Sequence, residues 1–538
     1  METPEKDEFV KSSYILMTGY IISSLLSAVG TIVMIRLITV YENSLLNIAY
    51  VIPAIIITAA ELGLNYASTH FIAENIKKNN FQEISSIIKT NLIIKLFIGL
   101  IAILFLNLYA SFITYNIYRV NDEQLVMLVQ ISSFGICANI LYEALNSIFL
   151  GKLNFKMVQI GTIIHTLLRS TISIFLILLG FHLLGPIIGL VFSLLFVDLI
   201  YIIFLLKDKK KSKIEKTPLN LKTFSRMMKY GYPLLIFSIF LSFKVQIFFF
   251  ILIFYGFINE VSYFDVAIVS ASLLGIFTKS ISFTLFPIFS KKSWDNQDER
   301  MKLIKTFQFS IKFGSLIILP TTILLMVFSR DIFPLIYGEQ YLDASIYISV
   351  YLISYLFVFL GSLSIPAFFN GQKKTINVLY IELVYLIGSL FFVLILINIY
   401  GGIGLVVGIV LGSFISVLYA NLSLRKKYGK ILFNEFKQNF CFLILAIFCG
   451  ITTFCANIFL KNLIPIDNLF VRLLILLICF LIYCIQYLIF VGLFSLITIE
   501  EVDFMVNSLE KFPIINKIIK ILAGFEKKLI LINILRRK

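Results

Sequence analysis

Long apolar runs, interrupted by short polar stretches, organise this chain from end to end. About fourteen of them reach the roughly 20 residues that a helix needs to cross hydrocarbon. They lie near 14–38, 45–66, 90–112, 124–150, 157–179, 182–206, 231–255, 261–288, 308–329, 344–369, 375–398, 402–423, 438–460 and 468–497. Backbone N–H and C=O groups inside a bilayer must be satisfied within the segment, so runs of this length predict helices. The strict alternation of a lipid-facing strand is missing from them, which excludes a barrel. The pattern predicts an all-α polytopic membrane protein of about 14 transmembrane helices.

Composition strengthens this reading. Of 538 residues, 59% are hydrophobic and 14% charged, with a mean hydropathy of +0.96. A soluble domain carries roughly 45–50% apolar and about 25% charged residues, so no soluble domain of useful size is expected, and disorder requires the opposite bias. The six cysteines, Cys137, Cys441, Cys449, Cys455, Cys479 and Cys484, all fall inside apolar runs and form no CxxC pair. Neither a zinc site nor a disulfide framework is indicated. Three scattered histidines do not suggest metal chemistry either. The opening METPEKDEF has no basic stretch and no small-residue cleavage site, so the first span is expected to act as its own insertion signal.

Charge adds direction. Lys+Arg is 46 against Asp+Glu 30, a formal +16, an excess that suits nucleic acid or an anionic membrane surface. Position decides for the membrane. Basic residues crowd alternate interruptions: Lys77, Lys78 and Lys89, then Lys152 and Lys156, then the run 207–229, then Lys291, Lys292 and Arg300, Lys373 and Lys374, Arg425 to Lys427, and the tail. The other interruptions hold only Arg119, Arg330 and Lys461. The positive-inside rule then places both termini in the cytoplasm, in a multi-pass protein of the cell membrane. Anionic lipids at the cytoplasmic face are the expected surface partner, and nucleic acid is not.

The longest hydrophilic interruption before the tail, KDKKKSKIEKTPLNLKTFSRMMK, follows the sixth span, where a chain built from two halves needs a linker. The expected organisation is an N-terminal lobe over 1–206, a basic linker over 207–230, a C-terminal lobe over 231–425, two further spans over 426–499 and a basic tail over 500–538. No GxxxxGK[ST], GxSxG, HExxH or GxGxxG motif survives inspection, and the outer loops are short. Gly401-Gly402-Ile403-Gly404 reads as a tight turn between two spans. Catalysis has no foothold and no cofactor is implied. Transport remains.

Ionisable residues inside spans are costly and point to function. Arg36, Lys95, Lys312 and Arg472 stand close to span ends, where long side chains snorkel to the headgroups. Arg169, Lys244 and Lys279 stand deeper. Thr162, His165, Thr166, Arg169 and Ser173 recur at three- and four-residue steps as one polar stripe, and Ser238, Ser242 and Gln246 repeat the idea around Lys244. Ser23, Ser27 and Gly30 in the first span suit helix packing. A cationic, hydroxyl-lined interior favours an anionic, hydroxyl-rich cargo, so the candidate substrate-binding residues are Arg169, Lys244, Lys279, His165 and Gln246. The span-located acids are Glu61, Glu143, Asp198, Asp265 and Glu382, with Glu61–Asn65 and Asn139–Glu143 at helical i,i+4 spacing. They either neutralise the buried bases or titrate, and Asp265, Glu61 and Glu143 are the coupling-ion candidates.

GYIISSLLSAVGTIVMIRLITVYE followed by ELGLNYASTHFIAE resembles the opening of the polysaccharide-biosynthesis, or oligosaccharide flippase, family. YGYPLLIFSIF, LIYGEQYLDASIYISVYLISYLF, GQKKTINV and YGGIGLVVGIVLGSFISVLYA continue in the family's order, over roughly 12–425. The resemblance implies the multidrug/oligosaccharidyl-lipid/polysaccharide exporter superfamily, with two six-helix lobes forming a V around a central cavity and two C-terminal helices beyond. It implies a protein, acting as a monomer, that moves a lipid-linked oligosaccharide from the cytoplasmic to the outer leaflet by alternating access. A flippase for a peptidoglycan precursor and a multidrug or cation antiporter are the alternatives.

Overall fold

A computed structural model describes residues 3–211, 221–290, 294, 297–429, 436–464, 468–508, 523–524 and 527–528. Among them the chain is helical almost throughout, and it divides into two compact units: Met1–Tyr263 with Ile336–Gln340, and Phe264–Leu335 with Tyr341–Lys538. The first is built from α1 (Thr3–Leu37), α2 (Val40–Ala60), α3 (Leu64–Lys77), α4 (Phe81–Phe112), α5 (Glu123–Gly151), α6 (Phe155–Leu176), α7 (Leu184–Lys211) and α8 (Leu221–Phe254). α9 (Ile258–Ser290) leads into the second, which holds α10 (Gln297–Tyr337), α11 (Ala344–Leu356), α12 (Ser364–Gly371), α13 (Thr375–Tyr428), α14 (Phe436–Leu463), α15 (Leu469–Leu493) and α16 (Ile499–Ser508).

Ten helices among the described residues are long and apolar enough to cross a membrane, or eleven if the bent pair Ala344–Leu360 and Ser364–Gly371 is one span. That is fewer than the fourteen runs of the sequence, and geometry accounts for part of the difference. α13 has 54 residues, far longer than a hydrocarbon core of about 30 Å requires at 1.5 Å per residue. It is broken at Gly401 (φ 62°), where the sequence places a turn.

Local chemistry starts and stops these helices. Thr39 and Glu42 form a reciprocal cap on α2, with Thr39 N–H donating to Glu42 Oε2 (2.7 Å) and Glu42 N–H to Thr39 Oγ1 (3.2 Å). Asn80, Asp122 and Asn154 cap α4, α5 and α6 by accepting from Glu83, Gln124 and Met157 N–H. One reversal recurs along the chain. Asn79, Leu153 and Lys373 each adopt positive φ, and the next residue's N–H returns five residues: Asn80 to Asn75 O, Asn154 to Phe149 O and Lys374 to Phe369 O. These are Schellman-type helix ends that satisfy carbonyls left without helical partners.

In the first unit, α1 packs on α6 through its glycines. A Cβ on Gly19 would collide with Gln159, and one on Gly30 with Ser170, so backbones meet closely there. Tyr142, Leu145, Phe149, Leu194, Val197 and Tyr201 join α5 and α7 in one buried cluster. Leu64, Ile72, Ile87, Ile148 and Met227 join α3, α4, α5 and the start of α8 in another. Arg226 at that end pairs with Glu83 and lies 4.8 Å over the Phe71 ring.

In the second unit, α10, α14 and α15 share a core containing Phe328, Phe442, Cys449, Cys479, Tyr483 and Val491. Lys312, 6% exposed, donates to both Glu501 oxygens (2.8 and 2.7 Å) and so ties α10 to α16. The snorkelling expected of Lys312 is therefore corrected: its partner lies 189 residues away, at a separation that span reading does not see. Glu501 also accepts Thr498 N–H at 2.8 Å. Glu501→Ala leaves a buried ammonium unpaired, whereas Lys312→Met removes the charge itself. Glu501→Ala is expected to cost about 1.5–3 kcal/mol and Lys312→Met less, which thermal unfolding of the detergent-purified protein checks. Equal losses would show that the pair contributes packing alone.

Candidate functional site

The interior of the first unit contains most of its buried charge, and it begins at a break in a helix. α2 ends at Ala60, and Leu62 (φ 48°) and Gly63 (φ 66°) turn the chain before α3 resumes. The last carbonyls of a helix lack intrahelical donors and carry its negative dipole end. Lys95 supplies both needs from α4. Its side chain is 0% exposed, and Nζ donates to Ala60 O at 2.9 Å and Glu61 O at 3.0 Å. The anchoring role expected for Lys95 is thus corrected. Counting from the start of the apolar run placed it near a helix end, but α4 starts at Phe81, so Lys95 is mid-helix.

Two carboxylic residues lie near this ammonium. Glu61 and Glu143, both half-buried, lie within its electrostatic reach and within reach of each other. The break at Leu62 and Gly63 also means that Glu61 and Asn65 are not neighbours on one continuous helix, as their spacing suggested. Asp198 on α7 is 4% exposed and lies within electrostatic reach of Glu143. Amide and hydroxyl groups line the same interior. Asn91 Nδ2 donates to Ser68 Oγ (2.9 Å), and Tyr201 OH to Asn146 Oδ1 (2.8 Å). Tyr142 OH meets Thr162 Oγ1 at 3.3 Å, and His165 Nδ1 meets Ser193 Oγ at 3.0 Å. Ser193 Oγ already donates to Leu190 O, so the imidazole is the donor in that bond.

The substrate-binding candidates are placed less uniformly. His165 is half-buried and held to α7 through Ser193. Arg169 is exposed on the same helix, within electrostatic reach of His165 and of Tyr50 on α2. The polar stripe divides: Ser173 is 2% exposed and lies where Gly185 and Gly189 let α7 approach α6, so it serves packing while Arg169 stays accessible. Lys244 and Gln246 are half-buried on α8 in the same unit. Asp265, also half-buried, belongs to the second unit. The side chain of Lys279 lies outside the described residues. The structure therefore brings Glu61 and Glu143 together around Lys95, and His165 beside Arg169. Sequence reading missed the roles of Lys95 and Asp198. The one signal available for Asp198 was an aspartate inside the apolar run IIGLVFSLLFVDLIYIIFLL without a basic neighbour.

Among the described residues, no three His, Cys, Asp or Glu side chains are arranged to hold a metal ion. The polysaccharide biosynthesis protein family matches residues 33–346, more than half of the chain. The chain belongs to this family. No curated protein matches it closely in sequence. The fold is similar to that of a solved structure described as a lipid II flippase MurJ in an inward closed conformation, with a TM-score of 0.70 at 18% identity, covering 89% of this chain and 99% of that one. It is also similar to an inward-facing multidrug resistance MATE family transporter of the MOP superfamily (TM-score 0.64, 17% identity, 76% of this chain and 95% of that one). A third structure, a MOP superfamily transporter from Pyrococcus furiosus described by the reverse polarity of its binding pocket, gives a TM-score of 0.54 at 17% identity over 79% of this chain and 96% of that one. The chain is thus an all-α, multi-pass membrane protein of this family, with a fold similar to those of MOP superfamily transporters. What the described interior of the first unit offers chemically is charge and hydrogen bonding inside apolar helices, with carboxylates and the enclosed ammonium of Lys95, and an exposed guanidinium at Arg169.

Proposed function

We propose that this member of the polysaccharide biosynthesis protein family is not an enzyme but a transporter that moves a lipid-linked saccharide across the membrane by alternating access. The observation that carries the reading is likeness of fold over nearly the whole chain, 89% of it, to a lipid II flippase, joined to the family match. A saccharide linked through phosphate or pyrophosphate presents negative charge and hydroxyl groups together. An accessible guanidinium binds phosphate oxygens through paired, charge-assisted hydrogen bonds. Arg169 fills that role, with His165 beside it and Lys244 and Gln246 as further contacts to the head group. Fourteen spans with both termini cytoplasmic, a monomeric carrier, and anionic lipids held by the basic linker and tail complete the proposal. The cargo crosses toward the outer leaflet.

Two cargoes fit. A peptidoglycan-type precursor is favoured by the fold likeness, since 89% of this chain is covered there against 76% and 79% for the MATE and Pyrococcus structures. A longer lipid-linked oligosaccharide is favoured by the family match. An antiporter for organic cations has less support, because the accessible Arg169 repels such a cargo. Glu61, Glu143 and Asp265 are the acids proposed to couple transport to an ion.

Reconstituted vesicles decide among these readings. Fluorescent polyprenyl-pyrophosphate-linked disaccharide-peptide and oligosaccharide are offered separately, and translocation is followed by quenching of the outer leaflet. Arg169→Ala is expected to abolish translocation of the preferred lipid while membrane accumulation stays at the wild-type level. Wild-type translocation by that variant, or movement of neither lipid by the wild-type protein, would overturn the reading.

A further inference from the structure

The reversal between α12 and α13 repeats those before α4 and α6 in backbone but not in chemistry. There the residue after the positive-φ position is Asn80 or Asn154, whose Oδ1 accepts a first-turn N–H of the helix it opens. Here that position is Lys374, which has no side-chain acceptor to offer and forms no side-chain cap. Asn377 N–H falls back on Lys374 O at 3.0 Å. Thr375 and Ile376, which open α13, are exposed, and N–H groups at these positions point out of a helix without an intrahelical partner. No acid stands in this first turn. Lys373 and Lys374, both exposed, instead add positive charge to the positive end of the helix dipole, the reverse of the favourable arrangement.

A second feature of the same turn lacks an acceptor. Asn377 is 7% exposed, and its Nδ2 has no hydrogen-bond partner among the described residues. Exchanging the amide's N and O does not relieve this, because Oδ1 accepts from Lys427 Nζ at 2.7 Å and an ammonium only donates. The break at Gly401 lets Lys427, in the last turn of α13, return to the first. Lys427 is itself exposed, so the enclosed amide is bonded to a side chain that reaches the surface. A buried donor without an acceptor costs free energy that a ligand oxygen recovers. The surroundings suit a lipid headgroup. The chain's one tryptophan, Trp294, donates its backbone N–H to Gln372 Oε1 at 3.3 Å and carries the Arg300 guanidinium 4.4 Å from its ring centre. Tryptophan concentrates at the headgroup level of a bilayer.

We propose that the start of α13 is a binding site for a phosphate group carried by an anionic lipid. The phosphate oxygens accept from Thr375 and Ile376 N–H, and the ammonium groups of Lys374 and Lys427 pair with its charge. Lys427 has three N–H bonds, so it keeps Asn377 Oδ1 while meeting the phosphate, and its shift outward opens Nδ2 to an oxygen of the same group. The ligand thereby joins the two ends of α13. Every residue of the site belongs to the second unit. The site uses neither the basic linker nor the tail, and it stands whether or not the transport reading does.

Melting of the full-length, detergent-purified protein with added phosphatidylglycerol, phosphatidylcholine or inorganic phosphate tests it. Phosphatidylglycerol is expected to raise the melting temperature and phosphatidylcholine, whose choline repels the lysines, is not. Asn377→Asp supplies an anion from within, where a carboxylate meets both Lys427 and the dipole. It is expected to melt above the wild type without lipid and to lose the phosphatidylglycerol shift. Lys374→Asn restores the cap found at Asn80 and Asn154 and is expected to lose most of that shift; it decides alone if Asn377→Asp does not accumulate. A shift of wild-type size in Lys374→Asn, or no shift of the wild type with either phosphatidylglycerol or phosphate, overturns the proposal. An equal response of the wild type to inorganic phosphate, lost in the same variants, supports the anion site and overturns the lipid as its source.

Discussion

Lys95→Met is expected to yield a protein that barely accumulates in the membrane and unfolds far below the wild-type temperature once extracted. Lys95 is fully enclosed and donates to the two carbonyls that end α2. Methionine has nearly the same length and keeps the packing, so the variant isolates the ammonium. Its loss leaves Ala60 O and Glu61 O without that donor and takes a nearby positive charge from Glu61 and Glu143. Breaking a buried charged pair from one side costs about 3–5 kcal/mol, because the remaining charge stays enclosed and uncompensated, and several kcal/mol is a large part of a domain's net stability. The double variant Lys95→Met/Glu143→Gln is expected to recover part of the loss by removing one of the stranded acids. Fluorescence-detected size exclusion after heating measures both. A Lys95→Met protein as heat-resistant as the wild type would show that the ammonium is dispensable.

The second large effect is expected at Gly63. Its backbone has φ 66°, a region that side chains other than glycine and asparagine adopt at a cost. An added Cβ would also come to 2.6 Å from Gly231 Cα and closer still to the Gly231 carbonyl. Backbone atoms cannot rotate aside as a side chain does. Gly63→Ala therefore combines conformational strain with overpacking, the latter alone typically about 1–3 kcal/mol. Gly256→Ala is the control, because Gly256 has φ 80° but nothing within 4 Å of its would-be Cβ, so it registers the strain alone. The difference in melting temperature between the two variants measures the crossing of the α2–α3 break with α8. Equal shifts would mean that the two glycines need not approach.

Much of the first unit was legible in the chain. The caps at Thr39, Asn80, Asp122 and Asn154 were not read from the sequence, although each polar side chain serves a backbone N–H only two or three residues away. The turn at Gly401 was legible, since glycine alone relieves the steric cost of that backbone conformation. His165 and Arg169 were legible as a pair because helical spacing puts residues four apart on one face. Ser173 was misjudged with them. Spacing gives the face within a helix but not the neighbour across from it, and here the neighbour is α7 at Gly185 and Gly189.

By itself, then, the sequence determined the solvent in which this protein folds and the helices it folds into. Both follow from transfer free energies and hydrogen bonds that act over a few consecutive residues. Only the tertiary structure decided the fate of each charge. Lys95 became a cap for a helix that ends 35 residues earlier, Lys312 took a partner 189 residues later, and Asp198 was enclosed with no donor among the described residues. Whether a charge inside an apolar helix is paired, protonated or open to water depends on which helices pack beside it, and that is set by contacts distant along the chain.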